Sequence, residues 1–266
     1  MLRVTDVVKN LLIINILMFV ITLIMGNMDT LALHYPASEK FRPFQIATHF
    51  FMHAGIGHLF FNMFALFMFG SALETLWGPK KFLYFYFFSA FGAAALHTAY
   101  SYYDINQMKE LIEVFRINPG YDTFWAFFNE TTLPKIGQNK EIFNELSRGI
   151  TAGDQDVINQ AIVQMELQVK RMEDIPVVGA SGAVYGLLLA FGMAFPNAEL
   201  MLIFLPIPIK AKYFIPVLML VELFLGVNQF SWDNIAHFAH LGGAISGFLL
   251  IMFWRKFGSR FDRYDL

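Results

Sequence analysis

Six apolar runs, each close to the length that crosses a lipid bilayer, constrain this chain more than any other feature. A bilayer core takes about 20 apolar residues per helix, and the runs fall at about 8–26, 58–76, 82–100, 181–196, 212–228 and 236–254. The fourth is short and stops before Pro196. The apolar stretch 200–209, broken by Pro206 and Pro208, reads as a continuation of it, a re-entrant piece or an interfacial loop. Hydrophobic residues make up 56% of the 266 and charged residues only 15%, outside the soluble range. The expected fold class is therefore an all-α, polytopic membrane protein embedded in a lipid bilayer. The absence of cysteine excludes disulfides, thiolate nucleophiles and cysteine-held metals. A net charge of −2 gives no reason to expect nucleic acid as a partner. Arg3 and Lys9 precede the first run as in a secretory signal, but no small-residue cleavage pattern follows Ile24-Met25-Gly26-Asn27, so this run reads as a retained span.

Charge placement predicts the orientation. Lys80 and Lys81 lie between spans two and three, Lys210 and Lys212 between four and five, and Arg255, Lys256, Arg260 and Arg263 after span six. By the positive-inside rule these sites and both termini are cytoplasmic. The connection between spans three and four then faces outward, and it is long. Residues 101–175 carry most of the acidic residues and several amphipathic stretches, Asn106 to Arg116, Lys140 to Arg148 and Asp154 to Met172. In the last, Ile158, Ile162, Met165, Val169 and Met172 recur at helical spacing. The expected organisation is a membrane core formed by 1–100 and 176–256, an extramembrane helical insertion at 101–175 and a cytoplasmic tail at 257–266. The aromatic segment Tyr121 to Phe128 suits either a membrane surface or the insertion's own core.

Polar residues inside apolar runs are costly and mark sites or structural pairings. Gly179-Ala180-Ser181-Gly182 opens span four, and Ala239-His240-Leu241-Gly242-Gly243 opens span six. A serine hydroxyl needs a base to become a nucleophile, and the chain has seven histidines to supply one. Under the orientation above, His237 and His240 both reach the depth of Ser181. Gly182 and Gly186 face Gly243 and Gly247 as two small-residue stripes that let helices approach closely, which favours His240; His237 remains open as the base or as a capping residue. His58 and Asn62, four apart on span two, share a face directed at the same pocket. The Ser181 amide at a helix start adds a further donor for a developing oxyanion. Tyr185, one turn below Ser181, is placed to pack on the His240 ring in lieu of a carboxylate. The result is a Ser–His dyad with no evident acidic third member, and Glu222 in span five reads as paired or interfacial. The pairs His49/His53 and His237/His240 have metal-compatible spacing, but no His-Glu-x-x-His motif or nearby carboxylate cluster accompanies them, so no metal or other cofactor is expected.

The assembled pattern resembles the rhomboid family of intramembrane serine proteases, in its six-span bacterial-type form. The resemblance lies in Phe41-Arg42 through His49, Met52 and His53; His58-Leu-Phe-Phe-Asn62; Gly70-x-x-x-Glu74-x-x-x-Gly78; Gly179-Ala-Ser181-Gly182 with Tyr185; and Ala239-His240-Leu-Gly-Gly243-x-x-x-Gly247. It implies a serine endopeptidase acting on single-span or multi-span membrane proteins, with Ser181 as nucleophile and His240 as base and then acid. It further implies His58, Asn62, Gly179 and the Ser181 amide around the oxyanion, and Tyr185 supporting the histidine. Substrate helices would enter from the side and unwind, with span five and the loop near Phe230 and Trp232 as gate and cap. A bacterial inner membrane is the expected location. Two departures stand out: Phe41 replaces the family's tryptophan before Arg42, and the insertion emerges beside the mouth of the site. The alternative from another class is a catalytically silent relative that binds client transmembrane helices. A proton-coupled transporter using the histidines and Glu222 would require an inverted repeat, and none is seen.

Overall fold

In lipid, backbone N–H and C=O groups must be satisfied within the protein, so long apolar runs become helices. The computed structural model describes residues 3–26, 28–130, 140–202, 205–228 and 235–257. Among the described residues, five helices are long and apolar enough to cross a membrane: α1 (Asp6–Met25), α2 (Ile56–Trp77), α3 (Pro79–Ile117), α8 (Ala211–Asn228) and α9 (His237–Phe257). Between α3 and α8 lie α4 (Tyr121–Glu130), α5 (Lys140–Thr151), α6 (Gln155–Glu173) and the shorter apolar α7 (Ser181–Ala194). The protein is thus an all-α polytopic membrane protein. Phe230, Trp232, Arg260 and Arg263 lie outside the described residues.

Outward-facing apolar side chains such as Leu17, Leu23, Leu220 and Phe224 are exposed on α1 and α8, as expected of surfaces that meet lipid. The interior is made by close helix approach. α3, α7 and α9 pack against one another, and a Cβ on Gly243 would overlap the carbonyl of Gly182. A Cβ on Gly247 would sit 3.3 Å from the Gly186 Cα, and Ser89, Gly92 and Ala93 of α3 meet the same stripes. The two small-residue faces therefore touch, as their spacing suggests.

Glu74 joins the first two spans. α1 begins without a side-chain cap of its own, so its first N–H groups need partners from elsewhere. The buried Glu74 carboxylate of α2 supplies them, accepting from Val7 N at 3.0 Å, Val8 N at 2.9 Å and the Thr5 hydroxyl at 2.5 Å. Negative charge at a helix amino terminus also suits the helix dipole. Glu74→Ala is expected to lower stability by about 2–4 kcal/mol, because it orphans those donors and leaves a void. Thermal unfolding of the purified variant beside wild type checks this.

α3 does not stop where the apolar run ends. Its 39 residues span about 58 Å at 1.5 Å per residue, nearly twice a bilayer core of about 30 Å. The distal half, through Ile105, Met108, Ile112 and Phe115, is one wall of a second core completed by α4, α5 and α6. Asp154 starts α6 by accepting from Asp156 N and Val157 N at 3.0 and 3.3 Å. Phe124 and Phe127 are fully buried in this core, while Tyr121 and Trp125 of the same helix remain exposed. Ion pairs of Lys109 with Glu173 and Arg116 with Glu166 fasten α6 against α3. Two antiparallel strands, β1 (Glu199–Leu202) and β2 (Leu205–Lys210), form a ribbon rather than an extension of α7. Two prolines at alternate positions remove helical N–H donors yet are tolerated on a strand that has a free edge.

Candidate active site

α7 is 14 residues long, about 21 Å, and falls short of a core of about 30 Å. The chain reaches its start as an extended segment. Val177 pairs with Leu33 of the loop after α1 through two backbone hydrogen bonds of 2.8 and 2.9 Å, and Gly179 N donates to the His49 carbonyl at 2.9 Å. Gly179 has φ +122°, and a Cβ there would come within 2.9 Å of both Cε1 and Nε2 of His58. Only glycine takes that backbone and lets the His58 ring lie against it.

Ser181 follows as the first residue of α7, its amide at the helix start. Its Oγ lies 3.0 Å from Nε2 of His240, on the first turn of α9. Of the two histidines open as base, it is therefore His240 that faces the serine. The Tyr185 ring stacks on His240 with centroids 4.1 Å apart and planes 8° from parallel. His58 and Asn62 from α2 line the same cavity of about 700 Å³ as Ser181, Tyr185 and His240. Asn62 is buried, and its amide nitrogen has no hydrogen-bond partner among the described residues. His58 accepts from Ala54 N at 3.4 Å through Nδ1, and its ring meets His53 edge-on at 5.2 Å. Burial pushes the His53 imidazole, outside the spanning helices, down to about 4, with the His58 ring adding to the shift. His53 is accordingly neutral beside the site. All six residues singled out from the sequence, Gly179, Ser181, Tyr185, His240, His58 and Asn62, thus meet at one place.

One contact was not legible. Glu222 of α8 is buried, and its Oε2 lies 3.0 Å from His240 Nδ1 and 2.6 Å from His237 Nδ1. Its Oε1 accepts from the Tyr185 hydroxyl. The available signal is Gly226, one turn on and on the same face: a Cβ there would stand 3.0 Å from the His237 Cβ, so that face of α8 is the one pressed against α9. Glu222, His237 and His240 also offer three ligand atoms within 4.8 Å of one another. Their separations from the carboxylate are those of hydrogen bonds, whereas donors around a tetrahedral zinc stand about 3.3 Å apart.

The Phe41 substitution is accommodated locally. Phe41 packs against the main core, and Arg42 Nη1 donates to the carbonyls of Glu39 and Phe41 at 3.0 and 2.7 Å. The buried Gln45 then holds the loop, accepting from Arg42 N and His34 N and donating to the carbonyls of Thr30 and Lys40.

Fold and site together define a class: multi-pass, all-α membrane proteins with a serine on a short apolar helix and a histidine on a spanning helix facing a shared cavity. The chain belongs to the rhomboid family, for its sequence matches the Rhomboid domain over residues 40–106 and 148–257, most of its length. The unmatched stretch between them lies within the insertion. No curated protein sequence matches the chain at a significant level.

Proposed function

We propose that this rhomboid-family protein is an intramembrane serine endopeptidase that cleaves peptide bonds in or near transmembrane segments of single-span or multi-span membrane proteins. The observation that carries the reading is the 3.0 Å contact between Ser181 Oγ and His240 Nε2 at the edge of a cavity that also holds His58 and Asn62. Ser181 attacks the scissile carbonyl while its proton passes to His240 Nε2. The oxyanion is met by the Ser181 amide and by the side chains of His58 and Asn62, whose free amide nitrogen suits that role. His240 then protonates the leaving amine, and a water activated by the same ring hydrolyses the acyl-enzyme. None of these steps calls for a cofactor.

The orientation belongs to the same proposal. Lys81 sits over the Trp254 ring at 4.7 Å, and Trp254 meets Trp77 edge-on at 5.8 Å, so the basic residues of α3 and α9 gather at one end of the bundle. Glu74 brings the start of α1 to that end as well. This supports cytoplasmic termini and an outward-facing insertion at 101–175, and the proposal places the protein in a bacterial inner membrane.

The test is labelling of the full-length protein in liposomes with a serine-reactive phosphonate, together with cleavage of a panel of single-span substrates. The expected result is a phosphonyl adduct on Ser181 and cut substrate. No adduct and no cleavage from a folded protein would instead favour a silent, client-binding relative.

A further inference from the structure

We propose that Glu222 is the positioning carboxylate of a three-membered Ser181–His240–Glu222 array, fixing the His240 tautomer on which proton removal from Ser181 depends. The inference rests on the hydrolase reading above and deepens it.

Glu222 is 6% exposed in a helix whose other charged residue, Lys212, lies in its first turn. A carboxylate in such a place persists only with strong partners, and its partners here are specific. Oε1 takes the Tyr185 hydroxyl, and Oε2 faces the Nδ1 atoms of His237 and His240. An ionised carboxylate can only accept hydrogen bonds, with about four lone-pair sites. Each imidazole nitrogen turned toward it therefore carries hydrogen. For neutral His240 this leaves Nε2 bare, and Nε2 is the atom 3.0 Å from the Ser181 hydroxyl. One buried charge thus selects the form of the base that can take the serine proton.

Three helices depend on this choice. Ser181 and Tyr185 share a face of α7, His237 and His240 share a face of α9, and α8 contributes the carboxylate that both faces meet. Tyr185 holds the imidazole plane by stacking and is itself held by Oε1. As the Ser181 proton moves to Nε2, His240 becomes an imidazolium whose Nδ1–H still points at Glu222. The proton leaves again from Nε2 to the departing amine, and Glu222 neither gains nor loses one. The hydrogen-bond separations favour this arrangement over a metal centre on the same three residues.

The experiment compares full-length wild type, Glu222→Gln and Glu222→Asp in liposomes. It combines ¹⁵N-histidine NMR with steady-state cleavage of a single-span substrate and phosphonate labelling of Ser181. In wild type, His240 is expected to carry hydrogen on Nδ1 and none on Nε2. Glutamine can turn either its oxygen or its NH₂ toward Nδ1, so the Nε2–H tautomer is expected to gain population and kcat to fall by about 10²- to 10⁴-fold, the upper end being the effect of turning a triad aspartate into asparagine. KM is expected to stay within about threefold, labelling to slow in step with kcat, and Glu222→Asp to recover at least about tenfold of the loss. A merely structural role would change melting without changing the tautomer. The proposal is overturned by a Gln variant with kcat near wild type, by identical tautomer populations in the two proteins, or by stoichiometric zinc binding that Glu222→Gln removes. If wild type neither cleaves nor labels, the hydrolase reading fails and the tautomer comparison alone decides the role of Glu222.

Discussion

Ser181→Ala is expected to abolish cleavage, by at least about 10³-fold, with the fold unchanged. The argument for a large kinetic effect and a small structural one comes from the same position. Ser181 opens α7, but its hydroxyl caps nothing there; the N-cap position is Ala180 and makes no side-chain bond. The partner of the hydroxyl is His240 Nε2. Removing one oxygen from a half-buried residue at a helix start costs at most about 1 kcal/mol, and alanine is the best helix former. The reaction, in contrast, has no other hydroxyl against His240 Nε2 among the described residues. Measuring substrate turnover alongside thermal unfolding separates the two quantities. Cleavage by the variant at the wild-type rate would place the nucleophile elsewhere.

Gly243→Ala is expected to be the most damaging single methyl group in the bundle. Its Cβ would overlap the carbonyl of Gly182, a backbone atom of a packed helix that has no rotamer to escape into. Overpacking usually costs about 1–3 kcal/mol, and the upper end or beyond is expected here because α7 and α9 must separate. Gly182 is the neighbour of Ser181, and Gly243 follows His240 by one turn, so the separation opens the Ser181–His240 contact directly. We expect activity to drop at least about 10²-fold, since a misplacement of about 1 Å already has that effect, together with a lowered melting temperature. Gly57→Ala is the control: a Cβ there meets nothing within 4 Å, and its φ is not in the left-handed region. Equal behaviour of the two variants would mean that the glycine contact does not set the site.

Much of this architecture was readable because bilayer physics leaves few options for an apolar run. The starts of α7 and α9 were legible from glycine next to serine and histidine, because small residues in lipid mark where backbones meet. Three features were not. The extension of α3 past residue 100 was hidden because the change in composition there reports a change of surroundings, while Asp104 to Arg116 remain good helix formers with an apolar stripe. The ribbon of β1 and β2 was hidden because two prolines say what a segment is not without saying what it becomes. Glu222 was hidden for a different reason. A lone carboxylate in a span is a strong signal that a partner exists, but its choice among several histidines depends on how α8 is rotated against α9, and hydropathy carries no such angle.

The single helix that runs from Pro79 to Ile117 makes the insertion a cantilever rather than a tethered pendant. A flexible linker would let an extramembrane unit swivel and sample a wide volume. A continuous rod of hydrogen-bonded turns does not, and the return strand is pinned beside the serine by Val177 and Gly179. The far end of the insertion is therefore held at one bearing and one height relative to the cavity mouth, and torque applied there is felt at Ser89 and Gly92, where the rod bears on α7 and α9.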